Sequence, residues 1–436
     1  MKTKKVKFLF LFFLIQFYAV AQVPLDLENA IDLLKENNTQ LKVQQYESTL
    51  SEVELAGSSS GFMPDISISH TGFYTNDPLN VFGFRLQQKS VRQEDFNPEL
   101  LNNPSGFQHF NTQFSIQQPL LNFDVFSARK ALKEKIKAMD HKKQYVENML
   151  IAELEKNYVN LQFLYEAKTV VEQGISTYEE FLRNTKNLED QGYAKHSDVL
   201  MVEVELAEIK NKEIEIKNNI TNLSEYLAWL MGEENSADYL PTTDLELKNT
   251  LENDFSSVEN RSDILAMKSG VEAQQKQLKM NKNSLLPRLN AFGEFNYNDK
   301  NTLRFNTHSY IAGISLSWNI FDGNKTFNSI RKNKMEIEKA ESELQLQIEQ
   351  NNLELQKAKR DLSSAEAKLS STKKAKKQAA EALRIIENRY EEGLEKTADL
   401  LLSQTTKLEK EVDYLEVIKT YNLLRIEIEF LTQNNN

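Results

Sequence analysis

The chain has 436 residues, no cysteine and a formal net charge of −11, which excludes disulfides, thiol nucleophiles and Cys-ligated metals and argues against coating nucleic acid. Only 13 glycines and 8 prolines occur in that length, so turns are scarce and the elements must be long rather than arranged as several ordinary compact domains. Past the amino terminus no run is apolar enough for a transmembrane helix, which leaves strands as the means of any membrane crossing.

Residues 1–21 read as a secretory signal peptide: Lys2, Lys4, Lys5 and Lys7 precede an apolar run from Phe8 to Phe17, and Ala19-Val20-Ala21 gives the small-residue cleavage pattern. A membrane anchor is the alternative, but the run is shorter than the roughly 20 apolar residues a span needs. Cleavage removes four lysines and no acid, so the mature chain would carry −15. An amphipathic helix follows, with Asp26 as N-cap and Leu27, Ala30, Ile31 and Leu34 on one face. Its pattern continues through Leu41, Leu50, Val53 and Leu55 to the break at Gly57–Gly61. After Pro64, alternation of Ile66 and Ile68 with Ser67 and Ser69 predicts a strand over 65–75. Residues 75–107, with Pro78, Pro98 and Pro104, read as an irregular exposed loop. A second strand is expected over 108–119, where Phe110, Thr112, Phe114 and Ile116 alternate with Asn111, Gln113, Ser115 and Gln117. Then come a long helix over 121–190 with Gly174 as its weak point, a tip turn at 191–197, a helix over 198–231 ended by Gly232, and an acidic irregular linker over 233–260.

From Arg261 the same programme restarts. A helix to about Ser284 breaks at Leu285-Leu286-Pro287, and a strand over 288–298 places Leu289, Ala291, Gly293, Phe295 and Tyr297 on one face. The strand expected over 309–320 alternates Tyr310, Ala312, Ile314, Leu316, Trp318 and Ile320 with Gly313, Ser315, Ser317 and Asn319. Residues 324–392 contain no Gly or Pro, and Ile337, Leu344, Ile348, Leu355, Ala358, Leu362, Ala365 and Leu369 recur at the 3-4 spacing of a coiled-coil seam. At 1.5 Å per residue such a helix spans roughly 100 Å. A tip turn at 393–398 and a helix over 399–432 complete the chain. Gly192-Tyr-Ala-Lys-His-Ser-Asp198 matches Gly393-Leu-Glu-Lys-Thr-Ala-Asp399 at an offset of 201 residues. Residues 22–232 and 261–436 are therefore two copies of one structural repeat.

Strands of about ten residues suit a tilted membrane crossing. Four of them cannot close a barrel, so chains must pool strands, and twelve from three chains would leave a lumen where eight from two would be filled by side chains. The polar faces, with Asn, Gln, Ser, Gly and Glu294, suit a wet lumen; Phe114, Ile116, Ile314, Leu316 and Trp318 would then face lipid. The residues alone also fit a soluble hairpin packed on a core, or a pore-less coiled-coil envelope scaffold or surface protein. No catalytic constellation emerges: the five histidines are dispersed without zinc spacing, and Glu233-Glu234 and Glu391-Glu392 read as solvated helix ends. With no Gly-rich phosphate loop either, the chain reads as a non-enzyme without metal or cofactor.

Three features together carry a family resemblance: the opening Leu25-x-Leu27-x-x-Ala30-Ile31 with Asn38, the Leu286-Pro287 joint before a strand, and the duplicated tips Gly192…Asp198 and Tyr390-x-x-Gly393…Asp399. The chain resembles the TolC-type outer-membrane efflux proteins (outer membrane factors) over essentially its whole mature length. The resemblance implies an α+β membrane protein: a homotrimer with a 12-stranded transmembrane β-barrel, four strands per chain, continued by a long α-helical coiled-coil periplasmic barrel. An equatorial layer would come from residues 233–260 and the chain end. It further implies an exit duct in the outer membrane of a diderm bacterium, serving tripartite efflux or type I secretion. The partners implied are outer-membrane lipid, a periplasmic adaptor (membrane fusion protein) and an inner-membrane pump of RND or ABC type, with no nucleic acid. By position, the periplasmic entrance and adaptor contacts fall to Gly192, Lys195, Asp198, Tyr390, Gly393, Lys396, Asp399 and Leu402, with Asp198, Tyr390 and Asp399 matching the polar links that hold the entrance closed. Leu402 stands where relatives have a second acid, and Glu395 where a basic residue is expected, so the family's double carboxylate ring and Arg-based lock do not carry over residue by residue. The residues themselves leave Asp198 and Asp399 open between gate carboxylates and helix N-caps.

Overall fold

A computed structural model of the chain describes residues 23–234, 238–248 and 257–432; the expected signal peptide lies outside the described residues. In chain order the elements are Val23–Leu25 (β1), Leu27–Asn37 (α1), Thr39–Gly57 (α2), Asp65–Thr75 (β2), Pro78–Gln87 (α3), Pro98–Asn102 (α4), Phe107–Leu121 (β3), Phe123–Asp190 (α5), His196–Met231 (α6), Tyr239–Pro241 (β4), Ser262–Asn283 (α7), Arg288–Asp299 (β5), Thr307–Ser317 (β6), Lys325–Glu391 (α8) and Thr397–Leu431 (α9). They fall into two compact units. One comprises Met1–Gln44, Lys143–Arg261 and Ile348–Asn436; the other comprises Gln45–Lys142 and Ser262–Gln347.

The second unit holds a four-stranded antiparallel sheet in the order β2-β3-β5-β6. Ile68 pairs with Phe114, Phe114 with Phe295, Phe295 with Tyr310, and Leu289 with Leu316. Because side chains alternate with period two, this register collects most of the apolar positions of the four strands on one face. Ser67, Ser115, Glu294, Asn111, Asn296 and Ser309 share the other. β2 and β6 each leave an edge unpaired within the chain, and Ile66, Ile314 and Leu316 are about 70% exposed (70, 68 and 68%).

Several expectations need correction. β6 ends at Ser317, opposite Arg288, rather than at 320. The next residue of the partner strand would be Pro287, which has no N–H to extend the ladder. Trp318 therefore lies beyond the strand, where its indole Nε1 donates to the Leu285 carbonyl at 3.0 Å. The segment 75–107 is not irregular: Pro78 and Pro98 occupy the first helical positions of α3 and α4, behind the caps Asp77 and Asn97. Proline is pre-set for that position and loses no hydrogen bond there, so residues that read as breakers act as starters. The first helix is likewise two helices. Asn38 leaves helical geometry with ψ 123°, its Oδ1 accepts from the backbone of Gln40 and Leu41, and its Nδ2 donates to the Leu230 carbonyl at 2.8 Å.

The first unit is built on helices. Leu34 of α1, Leu150, Leu154 and Leu161 of α5, and Leu227 and Leu230 of α6 form its largest buried cluster. β1 pairs in parallel with β4, a junction that the expectation of an irregular linker had missed. Leu245 joins Leu415, Ile418 and Ile426, while Val258 joins Leu355, Ile428 and Leu431, so the described parts of 233–260 pack on the chain end. Gly174 is no weak point either. A Cβ there would lie 2.4 Å from Ile209 Cδ1 and 2.9 Å from Leu408 Cδ1, so its lack of a side chain lets α6 and α9 approach α5.

Candidate functional site

The two helical tips have one construction. At the first, Gly192 adopts φ +79° and the Tyr193 N–H returns to the Leu188 carbonyl at 2.8 Å. At the second, Gly393 adopts φ +71° and the Leu394 N–H returns to the Arg389 carbonyl at 2.9 Å. Both are glycine-terminated helix ends in which a left-handed residue lets the chain reverse. Nothing lies within 4 Å of the missing Cβ at either glycine. Backbone conformation, not crowding, therefore requires glycine.

The helices after the turns begin two residues earlier than expected, at His196 and Thr397. Lys195 and Lys396 are consequently the N-cap residues, and Asp198 and Asp399 stand in the first helical turn. The Asp198 carboxylate accepts from the Lys195 backbone N–H at 3.0 Å, using a donor that the helix start leaves free. Asp399 is exposed. The Tyr390 hydroxyl meets Thr397 Oγ1 of its own turn at 3.3 Å, Arg389 donates to Glu395 at 2.7 Å, and His196 meets Glu189 at 2.9 Å. Leu402 is 68% exposed.

A groove of about 1110 Å³ runs between the tips. Of the residues selected from the sequence, Lys195, Asp198, Tyr390, Gly393 and Lys396 line it; Gly192, Asp399 and Leu402 do not. Glu180 of α5 and Glu387 and Glu391 of α8 line it as well. The Glu387 carboxyl is pushed above its ordinary range, first by burial and then by Glu391 and Glu180, against the opposing pull of Lys407. Sequence reading passed over Glu180 and Glu387. The spacing of Glu387 and Glu391, one helical turn apart, was the available signal.

On the polar face of the sheet, Asn111 Nδ2 donates to Asn298 Oδ1 at 2.9 Å and Asn296 Oδ1 at 3.2 Å, and the hydroxyls of Ser67 and Ser115 meet at 2.6 Å. Glu294 lies opposite Ser115 and Ile311 on that face. In the segment joining β2 to β3, Phe84 of α3 stacks on His109 of β3 at 4.0 Å. Among the described residues no three His, Asp or Glu side chains converge as a metal site, and no helix is long and apolar enough to cross a membrane.

The family model for the outer membrane efflux protein matches residues 30–233 and 256–427, one segment in each repeat. No curated protein matches the chain significantly in sequence. Among solved structures, a membrane protein from Pseudomonas aeruginosa superposes with a TM-score of 0.81 at 15% identity over 93% of each chain. The Campylobacter jejuni CmeC outer membrane channel gives 0.80 at 15% identity, covering 93% of this chain and 85% of its own. The Vibrio cholerae outer membrane protein VceC gives 0.79 at 14% identity, covering 94% and 97%. At these identities the likeness is one of fold.

Proposed function

The chain belongs to the outer membrane efflux protein family, and from that premise we propose that three copies pool their four-stranded sheets into one twelve-stranded barrel that conducts cargo passively out of the cell. The observation that carries this reading is the sheet itself: its register gathers most of the apolar residues on one face while both edges, β2 and β6, stay open. An unpaired strand edge in hydrocarbon costs several kcal/mol for each unsatisfied group, and four strands are too few to close on themselves. Pairing β6 of one copy with β2 of the next removes every edge. Phe114, Ile116, Ile314 and Leu316 then face lipid, and the Asn, Ser and Glu294 face lines a wet lumen.

In the periplasm the long helices form a coiled-coil barrel, girdled where the described parts of 233–260 and the chain end pack together. The tips around Gly192 and Gly393 form its entrance and receive a periplasmic adaptor. An inner-membrane pump, of RND or ABC type, supplies the energy in a tripartite efflux or type I secretion system. Asp198 braces the first turn, and exposed Asp399 presents a carboxylate from each copy at the constriction, where a ring of three attracts cations at short range.

The test is the full-length protein in planar bilayers, with the mass of the detergent-extracted particle measured in parallel. A trimer with stepwise conductance is expected. A particle of any order without conductance would overturn the reading in favour of a pore-less scaffold.

A further inference from the structure

The connection between β5 and β6, residues 300–306, does not stand free above the sheet. It leans onto the apolar face: Thr302 Oγ1 meets His70 Nε2 at 3.1 Å, and the Phe305 ring packs against Tyr297 at 5.1 Å. His70 is itself fixed on that face by Thr112 Oγ1 at 2.8 Å and by stacking on Phe110 at 5.7 Å. The loop is closed behind by Thr307, whose hydroxyl lies within donating distance of the Gln87 carbonyl at 2.8 Å and the Asn298 carbonyl at 2.6 Å. Leu303 is held at φ +55°, an unfavourable conformation for a branched side chain. It leaves Leu303 67% and Phe305 50% exposed beside the apolar strands. Alternating with these are Lys300 and Arg304, both exposed and neither with an ion-pair partner among the described residues. The nearest acid in sequence, Asp299, is only 5% exposed and accepts from the Asn301 N–H at 2.9 Å.

An exposed pair of apolar side chains, one of them held in a strained backbone conformation, costs free energy in water and is favourable at a lipid surface. Two uncompensated cations at the same rim ask for anions there. We propose that this loop and the adjoining apolar face of β5 and β6 bind a phosphorylated glycolipid of the outer leaflet, its acyl chains on Tyr297, Tyr310 and Ile314 and its phosphates on Lys300 and Arg304. The inference rests on the reading that the apolar face meets lipid. The amphiphilic pattern favours a lipid over free phosphate, which would have no use for Leu303 and Phe305.

The full-length protein in nanodiscs tests it, with bisphosphorylated lipid A as the probe. Binding should weaken about 10- to 30-fold in the double variant Lys300→Gln/Arg304→Gln, and equally when the lipid A is dephosphorylated. Equal binding in all three cases, or displacement of lipid A by millimolar inorganic phosphate, would overturn the proposal. Because the chain has no cysteine, a nitroxide placed by Ile314→Cys separates this from its premise. A label accessible to oxygen but not to a water-soluble relaxant, combined with no phosphate preference, sinks the lipid site alone. A label open to the water-soluble relaxant sinks the lipid-facing reading and the site with it.

Discussion

The Arg261 guanidinium donates to Asn351 Oδ1 at 2.8 Å and lies 5.6 Å from the ring of Tyr145 and 5.4 Å from that of Phe430. Arg261 is 4% and Asn351 1% exposed. The two rings and the acceptor are part of what holds this buried cation. Arg261→Ala removes this hydrogen bond and the ring contacts together, and should destabilise by about 3 kcal/mol. Arg261→Lys keeps the charge but loses the planar fork, and should fall between. Thermal unfolding followed by circular dichroism measures both; a lysine variant as weak as alanine would put the fork, not the charge, at the centre.

Gly174 gives a second prediction. Gly174→Leu must displace Ile209 and Leu408, and overpacking of this kind costs about 1–3 kcal/mol. Gly174→Ala offsets its smaller clash with a gain in helix propensity of about 1 kcal/mol and should stay near wild type. A leucine variant with an unchanged melting temperature would show that the helices can part there.

Where periodicity alone decides the structure, the sequence was nearly sufficient. The four strands, both long helices and both tips follow from alternation, seam spacing and two glycines. What escaped it depends on partners distant in sequence. Proline is a breaker or a helix starter according to what caps it, and Asp77 and Asn97 settle that only once folded. The β1–β4 pair joins Val23 to Tyr239, too far apart and too short for any local signal. The end of β6 is set by Pro287 on another strand. The tip acids show the same limit: Glu180 is near Glu387 only because α5 and α8 are neighbours at the groove.

Glu387 makes the tip sensitive to pH. Its folded carboxyl titrates above its ordinary value, so the folded tip holds that proton more readily than the unfolded chain does. Stability from this group is full below the unfolded carboxylate value and is lost as pH rises through the folded one. Amide exchange at residues 385–398, corrected for intrinsic rate, should therefore indicate a tighter tip at pH 5 than at pH 7. Glu387→Gln at pH 7 should match wild type at pH 5. A glutamine variant that keeps the full pH dependence would assign it elsewhere.

Gly393 tests the role of the turn. With open space around its missing Cβ, leucine there meets only the backbone penalty of the left-handed region, about 1–2 kcal/mol, whereas asparagine tolerates that region. Gly393→Leu should abolish efflux while normal amounts of protein reach the outer membrane, and Gly393→Asn should retain most activity. Drug resistance at wild-type level in Gly393→Leu cells would remove the turn from the proposed docking.

The depth of each strand residue sets the cost of a charge on the apolar face. Leu316 pairs with Leu289, one step from the ends of both strands, whereas Ala312 pairs with Gly293 near their middle. Arginine on a lipid face costs about 2–4 kcal/mol at the midplane and about 0–1 near the interface. Ala312→Arg should therefore impair assembly by about 2–4 kcal/mol, and Leu316→Arg by much less. Gln113, paired with Asn296 at mid-strand on the opposite face, provides the comparison: Gln113→Arg would project into the lumen and should assemble normally. Urea titration of heat-modifiable oligomers on gels ranks the three. Equal losses at Ala312 and Gln113 would mean that the sheet does not separate lipid from water.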